Sequence, residues 1–193
     1  MKSGEYYLQG VMEVGSGFRF NEDKTFDFFY SYGAMDRMAK GTWEQKGDSL
    51  ILNNERKPDK DFVLVQSKHT SEKGITIQVK DPNTMVLGNI YGRIKSEKGI
   101  LEGSSDKKGR LTFEPAPVQA ISLIHAYWPD RFSVFQVAHP EHNYFEFTIN
   151  PKIAEVEFHN LVLQIREDTL LGPHPLIKEE GFKDRECTYV KGN

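Results

Sequence analysis

The stretch Gly41-Thr42-Trp43-Glu44-Gln45-Lys46-Gly47-Asp48-Ser49-Leu50-Ile51-Leu52 constrains the fold more than any other, because it sets two short strands around a polar turn with one large aromatic to anchor them. Lys46-Gly47-Asp48 makes the tight turn, and Leu50 and Leu52 resume a buried face at a period of two. Such a pattern commits the chain to a β-sheet. Upstream, Tyr6, Leu8, Gly10 and Met12 share one face of a strand whose other face carries Glu5, Gln9 and Glu13. Phe18 and Phe20 flank Arg19, Asn21-Glu22-Asp23-Lys24 supplies a polar turn, and Phe26, Phe28, Tyr30 and Tyr32 line one face with Asp27 and Ser31 opposite. The first fifty-odd residues therefore read as a meander.

Downstream, Asn53 to Asp61 is polar and carries Pro58, which makes it a loop, and Asp61 to Val65 is one further strand. Lys68-His69-Thr70-Ser71-Glu72-Lys73-Gly74 reads as a linker. Beyond it, short strands separated by Gly, Asp and Pro turns predict a seven-stranded sandwich near Ile75 to Lys80, Gly88 to Lys95, Gly99 to Gly103, Arg110 to Glu114, Gln119 to Trp128, Arg131 to Ala138 and Asn143 to Ile149. Ala154, Val156 and Phe158 then alternate with charged residues, and the parity shifts at His159-Asn160 before Leu161, Leu163 and Ile165. Arg166-Glu167-Asp168-Thr169-Leu170-Leu171 echoes Lys46-Gly47-Asp48-Ser49-Leu50-Ile51. If the echo is structural, the C-terminal hairpin completes the N-terminal sheet, Gly172-Pro173-His174-Pro175 ends it, and Cys187 to Val190 forms a final edge strand. The expected fold is thus all-β, an antiparallel meander or partial barrel (residues 1–67 plus 151–193) with an inserted sandwich (residues 74–150).

The segment Ile75-Thr76-Ile77-Gln78-Val79-Lys80-Asp81-Pro82, then Gly88 to Ile94 and Ser104 to Phe113 with its Asp106-Lys107-Lys108-Gly109 turn, resembles the transthyretin-like family that includes carboxypeptidase regulatory-like domains. The hydrolytic members of that superfamily carry a C-terminal Tyr-Arg-Gly-Ser, which this chain lacks. The resemblance therefore implies a scaffold or recognition module, of a kind found in exported bacterial proteins. A periplasmic or secreted setting follows if an export signal has been removed. Gly41-Thr42-Trp43 is similar to the Gly-x-Trp signature of lipocalin-like barrels, which implies a Trp packed at a closed barrel end.

Composition narrows the function further. In 193 residues the charged fraction is 27% and the net charge -3, so no positive field exists to hold phosphate backbones and nucleic acid is not an expected partner. The one cysteine, Cys187, excludes an internal disulfide and a Cys-based metal site. No run approaches the roughly 18 apolar residues of a membrane-spanning helix, and Met1-Lys2-Ser3-Gly4-Glu5 lacks a signal-peptide core. Glycine-rich phosphate loops are absent, so no nucleotide cofactor is expected, nor any other cofactor.

Candidate sites remain. Phe28, Tyr30, Tyr32 and Trp43 could line a cup for an apolar or sugar-like ligand. Trp128-Pro129-Asp130-Arg131 reads as a hairpin turn whose Trp128 and Arg131 form a recognition tip. His139, Glu141 and His142 in His139-Pro140-Glu141-His142 bring two imidazoles and a carboxylate into one loop, a set that could bind zinc or another divalent ion. His125 shares a strand face with Ile121 and Leu123 and could act as a base oriented by Asp130, or as a core histidine. The pattern favours a non-catalytic binding or accessory protein for a small ligand or protein partner. Its alternatives are a metal-binding protein or metal-assisted hydrolase centred on His139, Glu141 and His142, and a structural subunit that self-associates through its aromatic sheet.

Overall fold

The structure, a computed structural model, describes residues 3–177 and 186–192. Among these residues the chain forms sixteen strands and a single short 3-10 turn, Thr84–Asn89. In chain order the strands are β1 (Gly4–Leu8), β2 (Val14–Phe20), β3 (Thr25–Tyr32), β4 (Met35–Lys46) and β5 (Ser49–Asn53). Then come β6 (Phe62–Lys68), β7 (Ile75–Lys80), β8 (Ile90–Ser96), β9 (Gly99–Ser104), β10 (Arg110–Phe113), β11 (Ala120–His125), β12 (Trp128–Gln136) and β13 (Tyr144–Ile149). The last three are β14 (Leu161–Arg166), β15 (Thr169–Gly172) and β16 (Cys187–Lys191). They divide into two compact units, residues 1–57 with 154–193 and residues 58–153. No helix among the described residues is long and apolar enough to cross a membrane.

The first unit is a closed barrel in the order β1-β16-β15-β14-β5-β4-β3-β2, with every neighbouring pair antiparallel. Closure comes from β16, which pairs with both β15 and β1 and so is not the edge strand expected of Cys187 to Val190. Closing the sheet removes the exposed edges that a partial barrel would leave. The inward faces of β2 and β3 supply Phe18, Phe20, Phe26, Phe28 and Tyr30, which join Trp43, Leu50, Leu52, Leu163, Leu170 and Tyr189 in one core. Gly41 is required where it stands, because a Cβ there would lie 2.2 Å from the Asn53 carbonyl oxygen and 2.7 Å from the Phe26 ring. Two residues on, Trp43 fastens β4 to the β2–β3 turn. Its Nε1–H donates to the Thr25 carbonyl at 3.0 Å, its backbone N–H donates to the Lys24 carbonyl at 2.8 Å, and the Lys24 ammonium lies 4.0 Å above the ring.

The chain leaves the barrel after β5 and returns beside the same point. Asn54 clips the two passes together: its Oδ1 accepts the Phe158 N–H at 2.8 Å and its Nδ2 donates to the Val156 carbonyl at 2.7 Å. Residues 154–158, expected to be a strand, form instead an extended strap with one isolated parallel bridge, Met38 to Glu155. The alternation expected there survives as burial, since Val156 and Phe158 both enter the barrel core.

The second unit has two four-stranded sheets, ordered β10-β7-β13-β6 and β12-β11-β8-β9, with β7 and β13 parallel. Phe62, Ile75, Ile77, Val79, Leu111, Phe145 and Phe147 from the first sheet meet Ile90, Ile94, Ile121, Leu123 and Phe135 from the second in one core. Two expectations change here. The strand at Phe62–Lys68, grouped by sequence with the first domain, pairs with β13 and makes an eighth sandwich strand, so the division falls at Lys57/Pro58 and not in the Lys68–Gly74 stretch. Residues 69–74 are tied into the same unit by Asn143, whose side chain bonds the Thr70 N–H at 2.7 Å and the Glu72 carbonyl at 2.6 Å. Trp128-Pro129-Asp130-Arg131 is strand and not turn, because β11 reverses at Ala126-Tyr127.

Candidate functional site

The residues expected to line a ligand cup are placed differently. Phe28, Tyr30 and Trp43 are buried in the barrel core, whereas Tyr32 ends β3 beside the Gly33 turn and is half exposed. Phe28 and Tyr30 surround a buried imidazole that sequence reading had left at the end of a hairpin. His174 lies 6.0 Å from Phe28 and 5.4 Å from Tyr30, centroid to centroid. Its Nδ1 accepts the N–H groups of Leu176 and Ile177, each at 3.1 Å, so Nε2 carries the proton and donates to Ser16 Oγ at 3.0 Å. The Ser16 hydroxyl in turn donates to the Phe29 carbonyl at 2.9 Å. Burial holds the His174 pKa down at about 4. Nearby, burial raises the pKa of the Cys187 thiol and keeps the Tyr189 hydroxyl protonated, and that hydroxyl has no hydrogen-bond partner among the described residues.

The outer wall of the same strands carries an apolar row. Register aligns Val190 of β16 with Tyr7 of β1, Tyr7 with Gly17 of β2, Gly17 with Phe29 of β3, and Phe29 with Met38 of β4. Val190, Tyr7, Phe29 and Met38 are 36%, 39%, 42% and 53% exposed, enough to make a continuous stripe across five strands. Gly17 lets the rings close over β2: a Cβ there would come within 3.0 Å of Phe29, whose ring meets Tyr7 edge-on at 6.2 Å. Two residues along each strand, on the same outward face, runs a ladder of alternating charge, Glu5–Arg19–Asp27–Lys40. Glu5 accepts from the Tyr7 hydroxyl and from Arg19, bonds that hold its carboxyl below the usual range, and Lys40 pairs with Asp27 at 3.1 Å. Glu5, Tyr7, Arg19, Asp27 and Phe29 border a pocket of about 300 Å³. The alternation of Glu5, Asp27 and Ser31 with apolar residues predicts a solvent-facing surface here. The signal against that expectation is an aromatic on the polar side of two alternating strands, Tyr7 and Phe29.

In the sandwich, His139, Glu141 and His142 do come together in the β12–β13 connection. One ligand atom from each lies within 4.8 Å of the others, the two imidazoles stack at 4.7 Å and 23°, and His139 Nδ1 is 3.4 Å from Glu141 Oε1. The Glu141 carboxyl is held below its ordinary range by its own backbone N–H and by the two imidazoles. Two residues that sequence reading did not select support the loop: Ser67 Oγ is 2.9 Å from His142 Nδ1, and His69 Nδ1 bonds the Glu141 carbonyl at 3.0 Å.

His125 is not part of that cluster. It is buried, its Nε2–H donates to the Val86 carbonyl at 3.0 Å, and its Nδ1 accepts the Tyr127 N–H at 3.1 Å. Both nitrogens are thus taken by backbone, and burial lowers its pKa, which fits a core histidine and not a base. The Trp128 ring lies 4.4 Å from it, tilted by 36°, and is half buried. Arg131 donates to the Pro58 carbonyl and to the buried Asp61 carboxylate at 3.2 Å. These contacts give Trp128 and Arg131 packing partners within the sandwich.

The chain is thus a closed, antiparallel eight-stranded barrel carrying an eight-stranded sandwich between its fifth and sixth strands. Compared with protein-family models, curated proteins and solved structures, it matches none of them significantly.

Proposed function

We propose that this chain is a non-catalytic binding protein that holds a protein partner on the outer wall of its barrel. The observation that carries the reading is the Val190–Tyr7–Phe29–Met38 stripe, rimmed on one side by the Glu5–Arg19–Asp27–Lys40 ladder. An apolar centre rich in aromatics beside a charged rim is the anatomy of protein interfaces. The barrel interior, by contrast, is given over to packing by Phe18, Phe28, Phe158 and Trp43, which argues against a small-ligand cup. The same proposal takes the barrel as lipocalin-like, supported by its eight up-and-down strands around Trp43. It takes the sandwich as a transthyretin-like module, supported by two four-stranded sheets about one core.

The ladder favours a second reading as well. Turned end for end, Glu5–Arg19–Asp27–Lys40 opposes a second copy of itself with unlike charges at every place, while Tyr7 meets Met38 and Phe29 covers Gly17 across the axis. Self-association through this wall is the structural-subunit alternative. One experiment separates the two. A photo-crosslinking phenylalanine analogue at position 29, with one at exposed position 100 on the sandwich for comparison, is irradiated in the native host. The expected result is one discrete heterologous adduct at position 29, abolished by Tyr7→Ser. An adduct of twice the chain's mass assigns the wall to self-association, and equal trapping at both positions, or none, overturns both readings.

A further inference from the structure

We propose that the His139–His142 turn binds a transition-metal dication of the zinc, nickel or copper class, with His139, Glu141 and His142 as its protein ligands. This inference is independent of the barrel-wall reading. Two imidazole nitrogens and one carboxylate oxygen suit ions of borderline softness, whereas calcium and magnesium prefer sites built from oxygen.

The loop is held in shape by bonds to its backbone, and the exposed contact of His139 Nδ1 with Glu141 Oε1 at 3.4 Å is the one an ion would replace. The His142 N–H closes the turn on the His139 carbonyl at 3.0 Å, and the Pro140 carbonyl accepts the Val118 N–H at 2.9 Å. Just after the turn, the Asn143 side chain grips Thr70 and Glu72. His69 pins the Glu141 carbonyl, so the Glu141 side chain, not its backbone, is left to face an ion. Ser67 occupies His142 Nδ1. With Nδ1–H donated to Ser67 Oγ, Nε2 presents its lone pair, the usual arrangement in which an outer hydrogen bond fixes the tautomer of a metal-bound histidine. Ser67 is therefore a positioning residue.

The distances are compatible with capture by side-chain rotation. Tetrahedral ligands about 2.0–2.1 Å from zinc stand roughly 3.3 Å apart. The three ligand atoms here are within 4.8 Å, and the His139 and Glu141 side chains are mostly exposed and free to turn inward. The remaining coordination positions open to solvent.

The test uses full-length protein without a polyhistidine tag, stripped with chelator, dialysed and titrated calorimetrically with zinc chloride. One equivalent is expected to bind, with at least a tenfold loss of affinity in His139→Ala and in His142→Ala, and no heat with magnesium or calcium. Ser67→Ala retains all three ligands and is expected to weaken binding about tenfold, the usual lower size of an outer-shell effect. The His139 side chain is mostly exposed, so its variant remains a fair test if His142→Ala folds poorly. Absence of stoichiometric binding, or binding that persists in the His139→Ala/His142→Ala double variant, overturns the proposal.

Discussion

Lowering the pH from 7 to 5 is expected to destabilise the barrel unit by about 2 kcal/mol through His174 alone. The imidazole is buried among Phe28, Tyr30 and Tyr189, and its Nδ1 already accepts two backbone N–H groups, so a proton added there would face two donors. The folded pKa of about 4 lies below the ordinary 6.5. A histidine depressed in this way stabilises the fold fully above pH 6.5 and loses that contribution as the pH falls toward 4, because the unfolded chain takes up the proton first. At about 1.4 kcal/mol per pH unit, the whole interval amounts to roughly 3 kcal/mol, and the span from 6.5 to 5 to about 2. The assay is urea denaturation followed by Trp43 fluorescence in a Trp128→Phe background, which reports the barrel unit. His174→Asn, whose amide oxygen can still accept the Leu176 and Ile177 N–H groups, provides the reference. The stability difference between the two proteins should narrow by about 2 kcal/mol from pH 7 to 5. A difference that stays flat with pH would refute the argument that His174 is neutral by necessity of burial.

Two further outcomes follow from the same core. Tyr189 buries a hydroxyl without a partner among the described residues, so Tyr189→Phe is expected to raise stability by about 1 kcal/mol in denaturant titration, and a loss of that size would show the hydroxyl to be bonded. Phe158→Ala removes the ring that joins Phe18, Phe26 and Phe28 across the barrel; it should cost about 3–5 kcal/mol, measured as an earlier urea midpoint for the Trp43 signal.

Alternation made the strands legible, because a half-buried strand must repeat at two residues and a turn must accept positive φ or a polar cap. Gly33 and Gly47 turn at φ 58° and 59°, and Asp106 caps its turn by accepting the Lys108 and Arg110 N–H groups at 2.8 and 2.9 Å, as their sequence contexts imply. The Arg166–Leu171 echo of Lys46–Ile51 corresponds to two hairpins that lie side by side, with Gln164 opposite Ser49. In the loop His139–His142 the candidate ligands were visible because they are four residues long and need no distant partner. Their supports, Ser67 and His69, were not, since nothing local marks a serine and a histidine seventy residues away as neighbours.

By itself, then, the sequence determined that the chain is all-β, where most strands and turns fall, and which residues could ligate an ion. The tertiary structure alone decided which strands pair and what each face meets. Period two tells inside from outside only along a single strand. It could not say that Phe62–Lys68 would join β13 and leave the barrel, because an apolar alternation fits any sheet whose register is open. It could not say that His174 would anchor a buried polar chain, since the Pro-flanked histidine meets Ser16 only across 158 residues. The row Val190–Tyr7–Phe29–Met38 exists for the same reason: four isolated outward residues become one surface only when closure of the barrel fixes the register of five strands.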